Sequence, residues 1–490
     1  VKKVYKSTPS GRKSAATTKH RQQKISKNHR AKTLIAGLGL LSLSIVSAAA
    51  GALLAVTLSN SSPLQQAALT PEEQKVFSQE EAVAAQSLNI PKLSRPVNIL
   101  LLGIKTLESE AKQQNTANSV EKLGYHALAN SFDGLSDSML LLRFDPERES
   151  LAVLSIPRDT RVRIEGHGIN KINQANELGG PALTAASVSK LLDGVNIDRY
   201  IRVNVQGVEK LIDALGGVEV YVPKDMKYND FSQHLYINLK KGQQHLNGDK
   251  AIQFLRFRYD AYGDISRVQR QQMLIRAAVE QTLKPGTIVK IPQILKVIQS
   301  HIDTNLTVKE LMALANFASK TDRSDIEMMM LPGDFSSYTQ YAVSYWLPNK
   351  EKIQDLVAQH FGITPLEELP GNSGSDGEYL DWEAREARRK ARLSIAIQDS
   401  QENSEAANAM LTALQKAGYN RAYISNSWHE PLKETRIVAQ SGDKLAATSL
   451  RTELGVGEVL VESTGVLNSD LTIQIGADWQ KYVELDRPLN

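Results

Sequence analysis

The sequence predicts a layered α/β fold in two parts, and three observations lead to it. From about residue 97 to 362, apolar runs of strand length alternate with longer segments of helical spacing. A flexible break, LEELPGNSGSDG, follows Pro365, and a second strand–helix–strand series starts at Leu393. The chain has 490 residues, 41% of them hydrophobic, which is enough for more than one core.

The first 32 residues carry eleven Lys or Arg and no acid. Set against a formal net charge of +4, this leaves −7 for the remainder, so the folded part is mildly acidic. A nucleic-acid reading would rest on this tail (residues 1–33) alone, so no nucleic-acid partner is expected. Leu34–Leu58 contains no charged residue and has the length of a membrane-spanning helix. Its Ala48-Ala49-Ala50 could mimic a signal-peptide cleavage site, but the run exceeds a signal core, which favours an uncleaved anchor. The basic flank then places the N-terminus in the cytoplasm and the rest outside, at the plasma membrane. Residues 59–94, rich in Ala, Gln and Glu and broken by Pro63, Pro71 and Pro91, read as a stalk.

The main domain is expected over 95–362. Val97–Ile104 reads as a buried strand, and 107–130 as a long loop. Met139–Phe144 and Leu151–Ile156 read as a hairpin across Asp145-Pro146-Glu147-Arg148. A helix is expected over Pro181–Leu192, a strand over Tyr200–Val205 and a helix over Gln206–Leu215 that stops at Gly216-Gly217. Val218–Val222 and Arg256–Tyr259 read as strands, Ser266–Thr282 as a long helix, and 286–319 as further helices. Residues 363–392 form the linker, and 393–480 a small α/β domain of two similar units.

Absent motifs exclude several chemistries. There is no cysteine, hence no disulfide, thiolate or cysteine-based metal site. The nine histidines form no HExxH, and GxSxG and GxxxxGK[ST] are missing.

The residues that remain point to anions. Arg158 and Asp159 follow an apolar strand, so they stand at a sheet edge where α/β proteins bind ligands. If 256–259 is a strand, Arg256 and Arg258 share a face. Arg267 and Arg270 lie three apart near a helix start, with Gln271 beside them. Guanidinium groups match phosphate oxygens, so a diphosphate clamp is one reading. Ion pairs to Asp260, Asp264 and Glu280 are the other, and spacing alone leaves both open. Asp133 and Asp137 could serve Mg²⁺ beside phosphates or simply cap turns.

Taken together and in order, NILLLG, SDSMLLLRFDP, LSIPRDTRV, INKINQA, DALGGVEVYVP, KGQQHLNGDKAIQFLRFRYD, GDISRVQRQQ and MLPGDF resemble the LytR-CpsA-Psr family over about residues 95–362. Residues 393–480 resemble the LytR C-terminal accessory domain. The resemblance implies an α-β-α sandwich on a single-pass anchor. It implies a phosphotransferase that moves a glycopolymer from a polyprenyl-pyrophosphate carrier in the bilayer to peptidoglycan. By motif, Arg158, Arg256, Arg258, Arg267, Arg270 and Gln271 would grip the pyrophosphate. Asp137 would hold Mg²⁺, Asp159 would keep the arginines in register, and Lys171 and Asn173 would line the same mouth. Two positions depart from the family pattern: Lys105 stands where many members carry a metal-serving Asp, and Leu135 where many carry Arg. The second metal carboxylate is thereby left to Asp133 or Glu108, or is missing. An apolar slot for the lipid is expected between the sheet and the helix after Gln271. A lipid pyrophosphatase and a non-catalytic envelope regulatory protein are the alternatives.

Overall fold

The computed structural model describes residues 66–77, 83, 91–105, 132–230, 235–257, 264–337, 339–362, 390–400, 404–425, 428, 430–466 and 468–479. The expected tail and apolar run, Glu108, Arg258, Asp260 and most of the linker lie outside them. Among the described residues no helix is long and apolar enough to cross a membrane.

The strands, in chain order, are β1 (Val97–Lys105), β2 (Leu135–Asp145), β3 (Ser150–Ile156), β4 (Arg161–Ile164), β5 (Gly168–Lys171), β6 (Arg199–Asn204), β7 (Val218–Val222), β8 (Met226–Asp230), β9 (Leu235–Leu239), β10 (Gly242–Leu246), β11 (Ile302–Thr304), β12 (Ile326–Met330), β13 (Gly333–Phe335) and β14 (Trp346–Pro348). Six of them form the central sheet in the order β11-β6-β1-β2-β3-β12. β1 and β6 are parallel, as are β3 and β12, while β2 runs antiparallel to both of its neighbours. The C-terminal ends of β1, β3, β6 and β12 therefore meet at one edge, together with the start of β2.

Helices cover both faces. On one, Ala182, Ala185 and Val188 of the helix Gln174–Leu191 and Ile353, Leu356 and Val357 of the helix Lys350–His360 bury Leu100, Leu102, Leu141 and Leu154. The helix Gln174–Leu191 is broken at Gly179 and Gly180 and resumes at Pro181, the residue at which the sequence predicts its start. On the other face, Ala313, Leu314 and Phe317 pack with Val97, Ile99, Leu140 and Val153. A separate core gathers β7 to β10 with Ala251 and Phe254 of the helix Gly248–Arg256 and Leu274 and Ala277 of the helix Asp264–Leu283. The helix Val205–Leu215 ends where Gly216 turns left-handed at φ 85°, as the Gly-Gly pair predicts.

Two expectations need correction. Arg256 does not lie in a strand: it ends a helix whose Asn247 side chain caps Lys250 N–H and whose Ala251 and Phe254 share the buried face. Nor is 59–94 wholly a stalk. Phe77 is buried against Tyr200 with ring centroids 5.3 Å apart, and Val83 and Leu93 enter the core.

The C-terminal part has five strands: β15 (Ser394–Asp399), β16 (Arg421–Ile424), β17 (Arg436–Val438), β18 (Glu458–Leu460) and β19 (Leu471–Ile475), in the order β16-β15-β19-β17-β18. It covers the outer edge of β12. Met328 N–H donates to Val461 O at 2.7 Å and Met330 N–H to Gln440 O at 2.9 Å. A free strand edge would otherwise invite pairing with another chain. Ion pairs flank this seam, Arg276–Glu462 at 2.6 Å and Lys444–Glu327 at 3.1 Å. Glu327 also faces His360 Nδ1 at 2.9 Å, while His360 Nε2 lies 3.1 Å from Gly442 O.

The hydrogen bond from His360, its charge and Lys444 together hold the Glu327 carboxyl down to about 2, against burial. A carboxyl with a depressed folded-state pKa adds stability that is complete above its unfolded value of 4.5 and lost as the pH falls toward about 2. The full contribution is roughly 3 kcal/mol. Urea unfolding at pH 6 should therefore find Glu327→Gln less stable than the parent, and the gap should close between pH 4.5 and 2. A gap that is constant with pH refutes this role.

Candidate active site

Three segments converge at the sheet edge where β2 begins. The first carries Asp137. Along the β1–β2 pairing, Gly103 faces Ser138 and Ile104 faces Ser136, so Asp137 is the extra residue of a β-bulge. Bulges of this kind re-aim a side chain and are frequent beside active sites. The second is the turn after β3. Thr160 Oγ1 donates to Pro157 O at 2.6 Å, and Trp346 N–H donates to Asp159 O at 3.0 Å. The third is the end of the β4–β5 hairpin. Ile172 N–H donates to Thr160 O, Asn173 N–H to Arg158 O and Ser136 N–H to Asn173 O. The backbone thus ties the SDS, PRD and KIN segments into one corner.

Their side chains form a chain of charges. Arg158 Nη1 donates to Asp137 Oδ1 at 2.9 Å, Arg158 Nε lies 3.6 Å from Asp159 Oδ2, and Lys171 Nζ pairs with Asp159 Oδ1 at 2.8 Å. All four side chains are between 20% and 27% exposed, so a ligand can reach them without unfolding the corner. The Phe132–Gly134 turn leading into β2 is held by Asn176, whose Nδ2 donates to Phe132 O and Gly134 O. Arg202 donates to Phe132 O as well.

The remaining expected residues are placed less uniformly. Arg256 is half-buried at its helix end, and the side chain of Arg267 lies outside the described residues. Arg270 is buried, donates from Nη2 to Phe257 O at 2.5 Å and lies over the Phe257 ring. It braces Phe257, the C-cap of the helix Gly248–Arg256. Gln271 is half-buried, while neighbouring Gln272 is buried with no hydrogen-bond partner for its amide among the described residues. Sequence reasoning misses Gln272, because its helix position carries no signal of that burial.

Next to the corner runs an apolar strip. Leu101 on β1, Leu142 and Phe144 on β2 and Ile201 on β6 share one sheet face and are only partly buried, although the middle of a six-stranded sheet should be the best covered. Ile275 and Val279 of the helix Asp264–Leu283 pack onto the same cluster. The strip lies on the sheet face that the helix Asp264–Leu283 packs against.

No group of three or more His, Asp or Glu able to hold a metal occurs among the described residues. Mg²⁺ needs few protein ligands when phosphates and water supply the rest. Asp137 fits that lesser role, since its ion pair with Arg158 is made through Oδ1. Asp133 is exposed on the turn before β2.

A model of the LytR_cpsA_psr family matches residues 61–361, more than half of the chain. The chain belongs to this family. A model described as LytR cell envelope-related transcriptional attenuator matches residues 392–479. Among LytR-CpsA-Psr relatives, the chain is 32% identical over 240 residues to the polyisoprenyl-teichoic acid–peptidoglycan teichoic acid transferase TagV of Bacillus subtilis, covering 47% of this chain and 61% of TagV. It is 31% identical over 276 residues to TagU of Bacillus cereus, covering 55% and 81%. It is 35% identical over 173 residues to the regulatory protein MsrR of Staphylococcus aureus, covering 35% and 51%. The match thus spans less than two thirds of TagV and of MsrR. The crystal structure of B. subtilis TagV aligns over 55% of this chain and 99% of its own, at 28% identity and a TM-score of 0.45.

Proposed function

We propose that this protein is a phosphotransferase that moves a glycopolymer from a polyprenyl-pyrophosphate carrier to peptidoglycan. The observation that carries the reading is the bulged Asp137 gripped by Arg158, in an accessible corner beside a partly uncovered apolar strip. The relatives named as teichoic acid transferases support the same reaction class.

The chemistry follows from charge. A sugar hydroxyl of the acceptor attacks the phosphorus that bears the glycopolymer. A new P–O bond forms, the bridging P–O bond of the pyrophosphate breaks, and polyprenyl phosphate leaves with the electron pair. The hydroxyl proton passes to a corner carboxylate or to water. Arg158 would supply fixed positive charge where the phosphoryl oxygens gain negative charge, and Arg256, Arg258 and Arg267 are the further arginines assigned to the same clamp. Asp159, held by Lys171, keeps Arg158 in register. Mg²⁺, held by Asp137 with Asp133 as a second ligand, would screen the diphosphate. The carrier's prenyl chain lies along Leu101, Leu142 and Ile201, and Leu34–Leu58 anchors the chain in the same bilayer.

Purified full chain, given lipid-linked teichoic acid and peptidoglycan, should yield polymer covalently attached to peptidoglycan and stoichiometric polyprenyl phosphate. Free polymer without attached product would make it a hydrolase. EDTA should suppress transfer, with Mg²⁺ restoring it. Transfer indifferent to EDTA removes the metal from the mechanism and leaves the arginines.

A further inference from the structure

A basic recess of about 230 Å³ lies beyond the corner, between the β4 strand, the end of the helix Gln174–Leu191 and the start of the helix Lys350–His360. Arg161, Arg163, Lys190 and Lys350 line it, over an apolar floor that includes Leu191 and Ile353. The side chains of Arg163, Lys190 and Lys350 make no ion pair or hydrogen bond among the described residues. Asp193 is the acid in the lining, and its Oδ2 accepts from Gln354 Nε2 at 3.0 Å. Four cations around one engaged carboxylate repel one another unless an anion enters. Screening by salt weakens the repulsion without reversing it.

Arg161, which lines the recess, links it to the catalytic corner. Arg161 follows Asp159 by two residues, about 7 Å along an extended chain. It also pairs in register with Lys171. The Tyr345 ring lies 5.8 Å from Lys171 Nζ and 5.9 Å from the Arg161 guanidinium, which also sits 4.9 Å over Tyr341. An apolar floor suits the C–H face of a sugar, and the cationic rim suits an acidic substituent. At this size the recess takes one such unit, since whole drug-sized ligands need about 300 Å³ or more.

Building on the transferase reading, we infer that this recess is a subsite for an anionic group carried on a sugar chain, one step removed from the reacting phosphorus. The group is a phosphodiester of the transferred polymer or a stem-peptide carboxylate of the acceptor.

The test uses the full chain and the triple variant Arg163→Gln/Lys190→Gln/Lys350→Gln, in which every changed side chain is exposed or rim-lying. Calorimetry measures affinity for a glycerol-phosphate hexamer, an N-acetylglucosaminyl-muramyl pentapeptide and a neutral N-acetylglucosamine hexamer. Removing three exposed cations together should weaken binding about tenfold. Loss confined to the glycerol-phosphate hexamer assigns the subsite to the donor, and loss confined to the muramyl probe assigns it to the acceptor. The neutral hexamer should bind both proteins alike. Unchanged affinity for both anionic probes, or an equal loss for all three, overturns the subsite. Covalent transfer by the unaltered full chain is scored separately: its absence would sink the transferase reading whatever the recess binds.

Discussion

Arg158→Ala lowers the rate of transfer about 10²–10³-fold and leaves the thermal midpoint close to that of the parent. The guanidinium is the centre of the corner, reaching Asp137 on one side and Asp159 on the other. Removing it takes away fixed charge from the developing phosphoryl oxygens and leaves Asp137 without this ion pair, while Asp159 keeps Lys171. Because these carboxylates are already reached by solvent, water can hydrate them, and folding is little affected. Arg158→Lys should recover only part of the rate, since an ammonium keeps the charge but cannot bridge two acids with a planar fork. Steady-state assays that separate kcat from KM decide the matter. An alanine variant within threefold of the parent would remove Arg158 from the chemistry.

Asp303→Ala costs about 3–5 kcal/mol of folding stability. Asp303 is 3% exposed and takes Arg202 Nε at 2.5 Å, while Arg202 is 6% exposed and cannot reach bulk water. Burial pushes the Asp303 carboxyl up, and the Arg202 guanidinium pulls it back. Deleting the acid strands a buried cation. The double variant Arg202→Met/Asp303→Leu should regain most of the loss, because matched apolar groups remove both desolvation costs. Arg202 also holds Phe132 O and Asn176 Oδ1, so the single variant should loosen the turn that delivers Asp137 and lower transfer as well. Urea unfolding of the three proteins checks the order. A single-variant loss below about 1 kcal/mol would mean that water reaches the pair.

Much of this organisation is legible in residue patterns, because those patterns obey local rules. The β1, β2 and β3 strands announce themselves as apolar runs separated by a turn, and Asp145 does accept from Glu147 N–H and Arg148 N–H there. Gly216 ends its helix because the left-handed conformation there favours a residue without a side chain. Arg158 and Asp159 belong at a sheet edge by their position after a strand, and they stand there. Arg256 misleads because Arg-Phe-Arg-Tyr alternates as a strand would. The stronger signal is upstream, in Asn247-Gly-Asp followed by Ala251 and Phe254 at helical spacing. Arg270 resembles a ligand by its neighbour Arg267, yet only packing reveals that its guanidinium serves the Phe257 carbonyl.

The sequence by itself determined the layered α/β class, the two folded parts and the family, since hydrophobic period, turn chemistry and motif order are properties of neighbouring residues. Tertiary structure alone decided that Asp137 sits on a bulge opposite Arg158, that Lys171 reaches Asp159, and that the C-terminal part seals the edge of β12. Those pairs are 21, 12 and more than 100 residues apart. Register and docking of that kind arise from the summed packing of whole sheets and helices, which no short window of sequence contains.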